Sequence, residues 1–369
     1  MFTSLIRERR KARHLIVFLV LGTGLLAGCY QTSATPAPTQ VAVNPSLFPA
    51  ETATSPTLSP TSTLSPQPIT TESIGTGTGE PYAGDRIILS FAQAGHEHLF
   101  AYFPLNQPFV QLTTGDFDDR EPAVNPDGTK VVFSSNRGGA WDLYLLDLSS
   151  GEVTQLTHTL AYDGAPSWSP DGQWLTYEAY NGSNFDIIVM PALDPAVPSV
   201  QLTQNSGNNF SPDWSPGGRE IVFTSDRSGS NELWIARLDV VDDRFVRLLG
   251  KDDADYSSPV WSPDGSTLAW TKIQSGVSTV EAAPVAEIGQ KVVSYGPGSN
   301  PVWSQDGTAL LVQLREPNAS YLSAYRVNDG TLLFPAEHFP SPIAGADWRT
   351  ATLVNTLPAA GPQPERGVV

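Results

Sequence analysis

Trp168-Ser169-Pro170-Asp171-Gly172-Gln173-Trp174-Leu175-Thr176-Tyr177 is the stretch that decides the fold of this 369-residue chain. Proline presets φ near −65° at the second position of Ser-Pro-Asp-Gly, aspartate tolerates the third, and glycine closes a tight turn. The aromatic and β-branched residues that follow read as a strand. The turn recurs at Asn125–Gly128, Ser215–Gly218, Ser262–Gly265 and Ser304–Gly307, with spacings of 44, 46, 47 and 42 residues. A period of this length is that of a four-stranded propeller blade.

Other columns keep step with the turn. Val124, Trp168, Trp214, Trp261 and Trp303 stand one residue before it, and Pro122, Pro166, Pro212, Pro259 and Pro301 two before that. Phe133, Tyr177, Phe223, Trp270 and Val312 mark a strand nine residues past the Val124/Trp column, and Gln-Leu-Thr at 111–113, 155–157 and 201–203 fits an outer strand. The recurring aromatic columns are the apolar layers expected between blades. Five turns leave a sixth blade to be made from the ends. Residues 85–102 align without gaps to 129–146, supplying middle strands, while Trp348 stands 45 residues after Trp303 and supplies an innermost one. Pairing of residues 343–350 with the segment from 85 closes the ring and removes an exposed sheet edge.

Taken together, these columns resemble the TolB-like propeller repeat, a relative of the WD-repeat, over residues 109–332 and by extension over 85–350. The expected fold is all-β: a six-bladed β-propeller of four-stranded blades over 81–355, closed by its N- and C-terminal segments, with a flexible tail at 356–369. In that family the propeller docks a peptidoglycan-associated lipoprotein in the cell envelope. The family also carries an N-terminal α/β domain, and here a different kind of segment stands in its place.

Five basic residues (Arg7, Arg9, Arg10, Lys11, Arg13) precede the apolar run 15–27 and then Gly28-Cys29. A basic region followed by 13 apolar residues reads as a signal peptide, 1–28, being short for a bilayer span. Leu26-Ala27-Gly28-Cys29 resembles the lipobox of bacterial lipoproteins, which implies cleavage before Cys29 and attachment of acyl chains, palmitate among them, to that residue. Residues 30–80 contain 12 Thr, 7 Ser and 8 Pro and no Lys or Arg. Such a composition buries no face, so 29–80 is expected to be a lipidated Cys followed by a disordered stalk. The location implied is extracytoplasmic, on a bacterial membrane, with the lipid anchor as the one membrane contact.

Charge narrows the partners. Of 21 basic and 38 acidic residues, five and one fall in the first 28, leaving 16 against 37. So acidic a surface repels nucleic-acid phosphates, and no nucleic-acid partner is expected. Cys29 is the one cysteine, so the chain forms no internal disulfide. No nucleophile elbow, phosphate loop or His-Glu-x-x-His occurs, so the chain is read as a non-enzyme with no cofactor. His96-Glu97-His98 places two imidazoles on one strand face, but with no cysteine and no second histidine pair it is a weak metal candidate, better read as an exposed polar hairpin. Asp127, Asp171, Asp264 and Asp306 belong to the turns and are read as structural.

The loops leading into the innermost strands are acidic in two blades, with Asp116, Asp118, Asp119 and Glu121 in one and Asp252, Asp253 and Asp255 in another. Asp118, Asp119, Asp163 and Asp255 are therefore expected to face one mouth of a central channel, where like charges focus a negative potential. The function expected is binding: an interaction scaffold for a protein or peptide partner, cationic by complementarity, or for a cell-envelope glycan. The alternatives are a carbohydrate-binding propeller and an extracellular hydrolase or lyase with a dispersed site.

Overall fold

The structure, a computed structural model, describes residues 82–353 apart from 94, 103–108, 195–196, 205, 251, 317–318 and 340. The expected signal peptide, Cys29, stalk and C-terminal tail lie outside the described residues.

Each repeat folds into one four-stranded antiparallel sheet, and there are six. Blade 2 is representative: Asp119–Val124, Lys130–Ser135, Asp142–Asp147 and Val153–Gln155 run from innermost to outermost. Blades 3, 4, 5 and 6 begin with Tyr162–Trp168, Asn209–Trp214, Asp255–Trp261 and Ser299–Trp303. Blade 1 is assembled from both ends of the described chain. Its innermost strand, Ile343–Leu353, pairs with Tyr82–Gln93, then follow His96–Tyr102 and Val110–Gln111. The closing register runs from Tyr82↔Leu353 to Phe91↔Ile343.

The turn chemistry is as the residues dictate. Gly128, Gly172, Gly218, Gly265 and Gly307 all take φ between 68° and 72°, a left-handed conformation open to glycine at little cost. Asp127, Asp171, Asp264 and Asp306 each accept a hydrogen bond from the backbone N–H two residues on. These aspartates shape turns.

The core sits between blades. Ala123, Val132, Leu143 and Leu145 of blade 2 pack against Trp168, Leu175 and Tyr177 of blade 3, and equivalent layers form at the other junctions. The tryptophan column also carries polar bonds across these boundaries. Trp168 Nε1 donates to Ala123 O at 3.0 Å and Trp303 Nε1 to Val260 O at 3.3 Å. At these two positions a buried indole finds its partner in the neighbouring blade and so ties blade to blade as well as filling space.

Every innermost strand bends at the same place. Glu121, Ala165, Ser211, Ser258 and Asn300, each just before the column proline, take φ of 47–53°, and Gly345 occupies the sixth position at 150°. The ladder register shifts at this point in each blade. The result is a ring of β-bulges around the centre of the molecule.

Candidate functional site

The bulges and the prolines after them surround a central channel of about 550 Å³. Its wall carries the column prolines, the indoles of Trp168, Trp214, Trp261 and Trp303, and four charged side chains: Glu121, Asp213, Asp347 and Arg349.

The three carboxylates are held by neighbouring blades. Glu121 accepts hydrogen bonds from Ala165 N (2.8 Å), Ser134 Oγ (3.0 Å) and the Tyr162 hydroxyl (3.2 Å). Asp213 accepts from Trp261 N at 2.7 Å and Ser167 Oγ at 2.9 Å. Asp347 accepts from Val124 N at 2.7 Å and lies 3.5 Å from Arg349 Nε. Each acid thus ties one blade to the next while presenting charge to the channel. Glu178, behind this wall, accepts from Ser211 N at 2.7 Å. Burial, reinforced by the charge of Glu121, pushes its carboxyl well above the usual carboxylate range. Burial likewise pushes Asp213 up to about 6. The channel therefore holds three acids against one guanidinium, and its charge deepens between mildly acidic and neutral pH.

The four aspartates singled out in the sequence do not line this channel. They sit at the junctions between blades, at or within one residue of the start of the innermost strands. Asp118 accepts from Glu97 N at 2.9 Å and lies 3.4 Å from His96 Nδ1; Asp255 accepts from Asn231 N at 3.0 Å. Both therefore bind the hairpin of the preceding blade. Asp119 and Asp163 are buried, at 0% and 1% exposure. Arg137 Nη2 donates to Asp119 at 2.8 Å. Burial opposes the charge of Asp119, yet hydrogen bonds from His98, Ser135, Thr113 and Arg137 hold it below the usual carboxylate range.

His96 and His98 open the third strand of blade 1 and face these aspartates, with ring centroids 6.4 Å apart. His98 is buried beside Asp119, 3.9 Å away, so this end of the hairpin is a packed junction rather than an exposed loop. Among the described residues, no three His, Cys, Asp or Glu side chains converge as metal ligands.

Of the channel acids, the sequence placed Glu121 in an acidic loop and gave no sign of Asp213 or Asp347. The one available signal was position: each stands immediately before a tryptophan of the column, Trp214 and Trp348.

The family profile described as the TolB beta propeller domain matches residues 80–194 and 161–332, more than half of the chain. A TolB homolog of Chlorobaculum tepidum is 35% identical over 112 residues, 30% of this chain and 25% of that protein. A Tol-Pal system protein TolB of Francisella tularensis subsp. holarctica is 29% identical over 129 residues, 34% and 29% of the two chains. The matched stretch is thus less than a third of either relative's length. The crystal structure of TolB from Acinetobacter baumannii superposes with a TM-score of 0.62 at 24% identity, covering 71% of this chain and 66% of that one. At that identity the likeness is one of fold.

Proposed function

Since the chain belongs to the TolB β-propeller family, we propose that it is an interaction scaffold of the bacterial cell envelope, holding a cationic segment of a protein partner at its central channel. The observation that carries this reading is the channel itself, lined by Glu121, Asp213 and Asp347 against the single Arg349. A volume of about 550 Å³ admits several side chains, and low-dielectric walls focus the field of the acids on whatever enters. The likeness to a Tol-Pal system protein of Francisella supports a protein partner over a glycan.

Cys29 and the residues before it support attachment to a membrane through acyl chains, with 29–80 as the tether and the propeller over 81–355 as the binding part. Catalysis is not part of this reading, because the channel acids are committed to backbone N–H groups of adjacent blades.

The test is capture of a partner from an envelope extract by the full chain, followed by elution at rising salt. Asp347→Asn is expected to release the partner at lower salt than wild type, and Arg349→Glu, which deepens the negative potential, at higher salt. Identical elution of all three proteins would remove the channel as the binding site.

A further inference from the structure

The hairpin end of blade 3 departs from the plan that its neighbours share. In blade 2, Asp118 N donates to Asn136 Oδ1 at 2.8 Å and Asn136 Nδ2 to Asp118 Oδ2 at 3.3 Å, a polar clamp between the entering loop and the hairpin. Blade 4 repeats it, with Asn208 N and Nδ2 donating to Asp226 at 2.6 and 2.7 Å. In blade 3 both positions are aromatic. Tyr162 pairs in register with Tyr180, and Tyr180 with Phe185. Phe185 stands where blade 4 has Asn231, and Trp141 of blade 2 stands where blade 1 has Glu97.

These four rings meet in sequence. Centroids are 6.3 Å apart for Trp141 and Tyr162, 5.8 Å for Tyr162 and Phe185, and 5.2 Å for Phe185 and Tyr180. Tyr180 is 37% exposed, the other three are half-buried, and Leu160, in the loop leading to Tyr162, is fully exposed. The polar groups at the rim are donors. Among the described residues, neither Trp141 Nε1 nor the Tyr180 hydroxyl has a hydrogen-bond partner. The Arg120 guanidinium, 4.6 Å above the Trp141 ring, adds further N–H groups. The acceptors alongside are taken, Glu97 by Arg120 and Asn181 Oδ1 by the N–H groups of Ser183 and Asn184. An apolar floor edged with donors, its one ion pair balanced, suits a neutral ligand whose polar groups are acceptors. A proline-rich backbone has that character, since proline lacks an N–H and the polyproline-II helix leaves every carbonyl free. Aromatic-lined grooves are its usual receptors. Saccharide hydroxyls, which also donate, are served less well.

The chain itself carries such a segment. Residues 55–68 hold no charge and repeat Thr-Leu-Ser-Pro at 57–60 and 63–66. Six residues make two turns of polyproline II, so Leu58 and Leu64 fall on one edge and Pro60 and Pro66 on another, about 19 Å apart. Three ring-to-ring steps extend at most about that far. Pro68 stands 14 residues before Tyr82, a reach of up to about 46–50 Å. Tyr82 lies at the turn end of the ring, where its partner strand bonds to Gly128. The arc lies at the hairpin end, one strand length or about 20–24 Å away.

We propose that the arc of Trp141, Tyr162, Phe185 and Tyr180 is a docking groove for the chain's own residues 55–68, held as a polyproline-II strand. A free peptide of this kind binds weakly, but the covalent connection supplies an effective concentration on the order of millimolar. Docking takes up part of the tether between Cys29 and the ring and so sets how far the ring stands from its anchor. That consequence rests on the anchor reading above; the docking itself rests on neither the anchor nor the channel.

The test uses a synthetic peptide of residues 55–68 and two full-length proteins, wild type and an open variant carrying Leu58→Asn, Pro60→Ser, Leu64→Asn and Pro66→Ser. Calorimetric titration is expected to show saturable binding to the open variant and at least about tenfold weaker binding to wild type, whose own segment competes. In the open background, Trp141→Asn with Tyr180→Asn places the residues of blades 4 and 2 at these positions and is expected to abolish binding with an unchanged melt. Should that protein melt early, a peptide with Leu58→Asn and Leu64→Asn, offered to the intact arc, must fail to bind. No binding to the open variant, or binding that survives loss of the rings or of both leucines, would overturn the proposal. Equal binding to the two proteins would overturn it in favour of a proline-rich segment from another protein. Binding of chitotetraose but not of the peptide would overturn it in favour of a glycan. No changed residue lines the channel, so the salt-elution test stands or falls separately.

Discussion

Asp213 shows how a single carboxyl couples the blades to pH. It is enclosed at the channel wall, and burial pushes it up to about 6 against the pull of hydrogen bonds from Trp261 N and Ser167 Oγ. Its unfolded value is near 3.9. The folded state therefore binds the proton more tightly, and this group's contribution to stability falls as pH rises from about 4 to 6, then levels off. The full swing is on the order of 2–3 kcal/mol. Asp213→Asn keeps an acceptor for Trp261 N and can donate to Ser167 Oγ, so it removes the titration without emptying the site. The unfolding free energy of the variant minus that of wild type is expected to rise by about 1–3 kcal/mol between pH 4 and pH 7 in chemical denaturation. A difference that stays flat with pH would mean that Asp213 titrates in the folded protein as it does in water.

At the level of elements, the turn and the bulge account for what could and could not be read in advance. The Ser-Pro-Asp-Gly turns were legible because each residue has one mechanical task, and the glycines carry it out at φ near 70°. Gly128 adds a close approach, since a Cβ there would meet Thr350 O of blade 1 at 2.2 Å. Gly128→Ala is expected to cost about 2 kcal/mol or more and to lower the melting temperature by several degrees. Gly139→Ala, at φ 99° with nothing within 4 Å, should cost less, since it adds strain without a clash. Equal losses in the two variants would show that backbone strain alone sets the effect. The site was less legible, and the bulge is the reason. Side chains alternate along a regular strand, so counting back from the turn assigns faces. The left-handed residue before each proline inserts an extra position, and the alternation does not survive it. Asp119 and Asp163 lie beyond the bulge and enter the junctions, whereas Glu121 sits on it and Asp213 and Asp347 lie on its near side, at the channel.

The closure of the whole ring was legible because Trp348 continues a column and the segment from residue 85 lacks an innermost strand. In the structure, these two pieces form ten register pairs between Tyr82–Gln93 and Ile343–Leu353. Phe91 and Phe339 meet at 5.7 Å in the layer between blades 1 and 6, with Ile343 in the same cluster. Deleting the chain from Ser341 onward removes an innermost strand, exposes an edge and opens that layer. The shortened protein is expected to lose cooperative unfolding, read as a broadened melt with dye-accessible apolar surface. A sharp melt at the wild-type temperature would show that five blades close without the sixth. The pairing of Tyr82 with Leu353 has one more consequence. A ring whose first and last described residues face each other has no mechanical beginning, so each blade boundary is an equivalent place to cut. Joining the two ends by a short linker and opening the chain between Gln155 and Tyr162 would give a circular permutant with the same six sheets around the same channel. Only the point at which the polypeptide leaves the ring would move, from beside blade 1 to the junction where Asp163 lies.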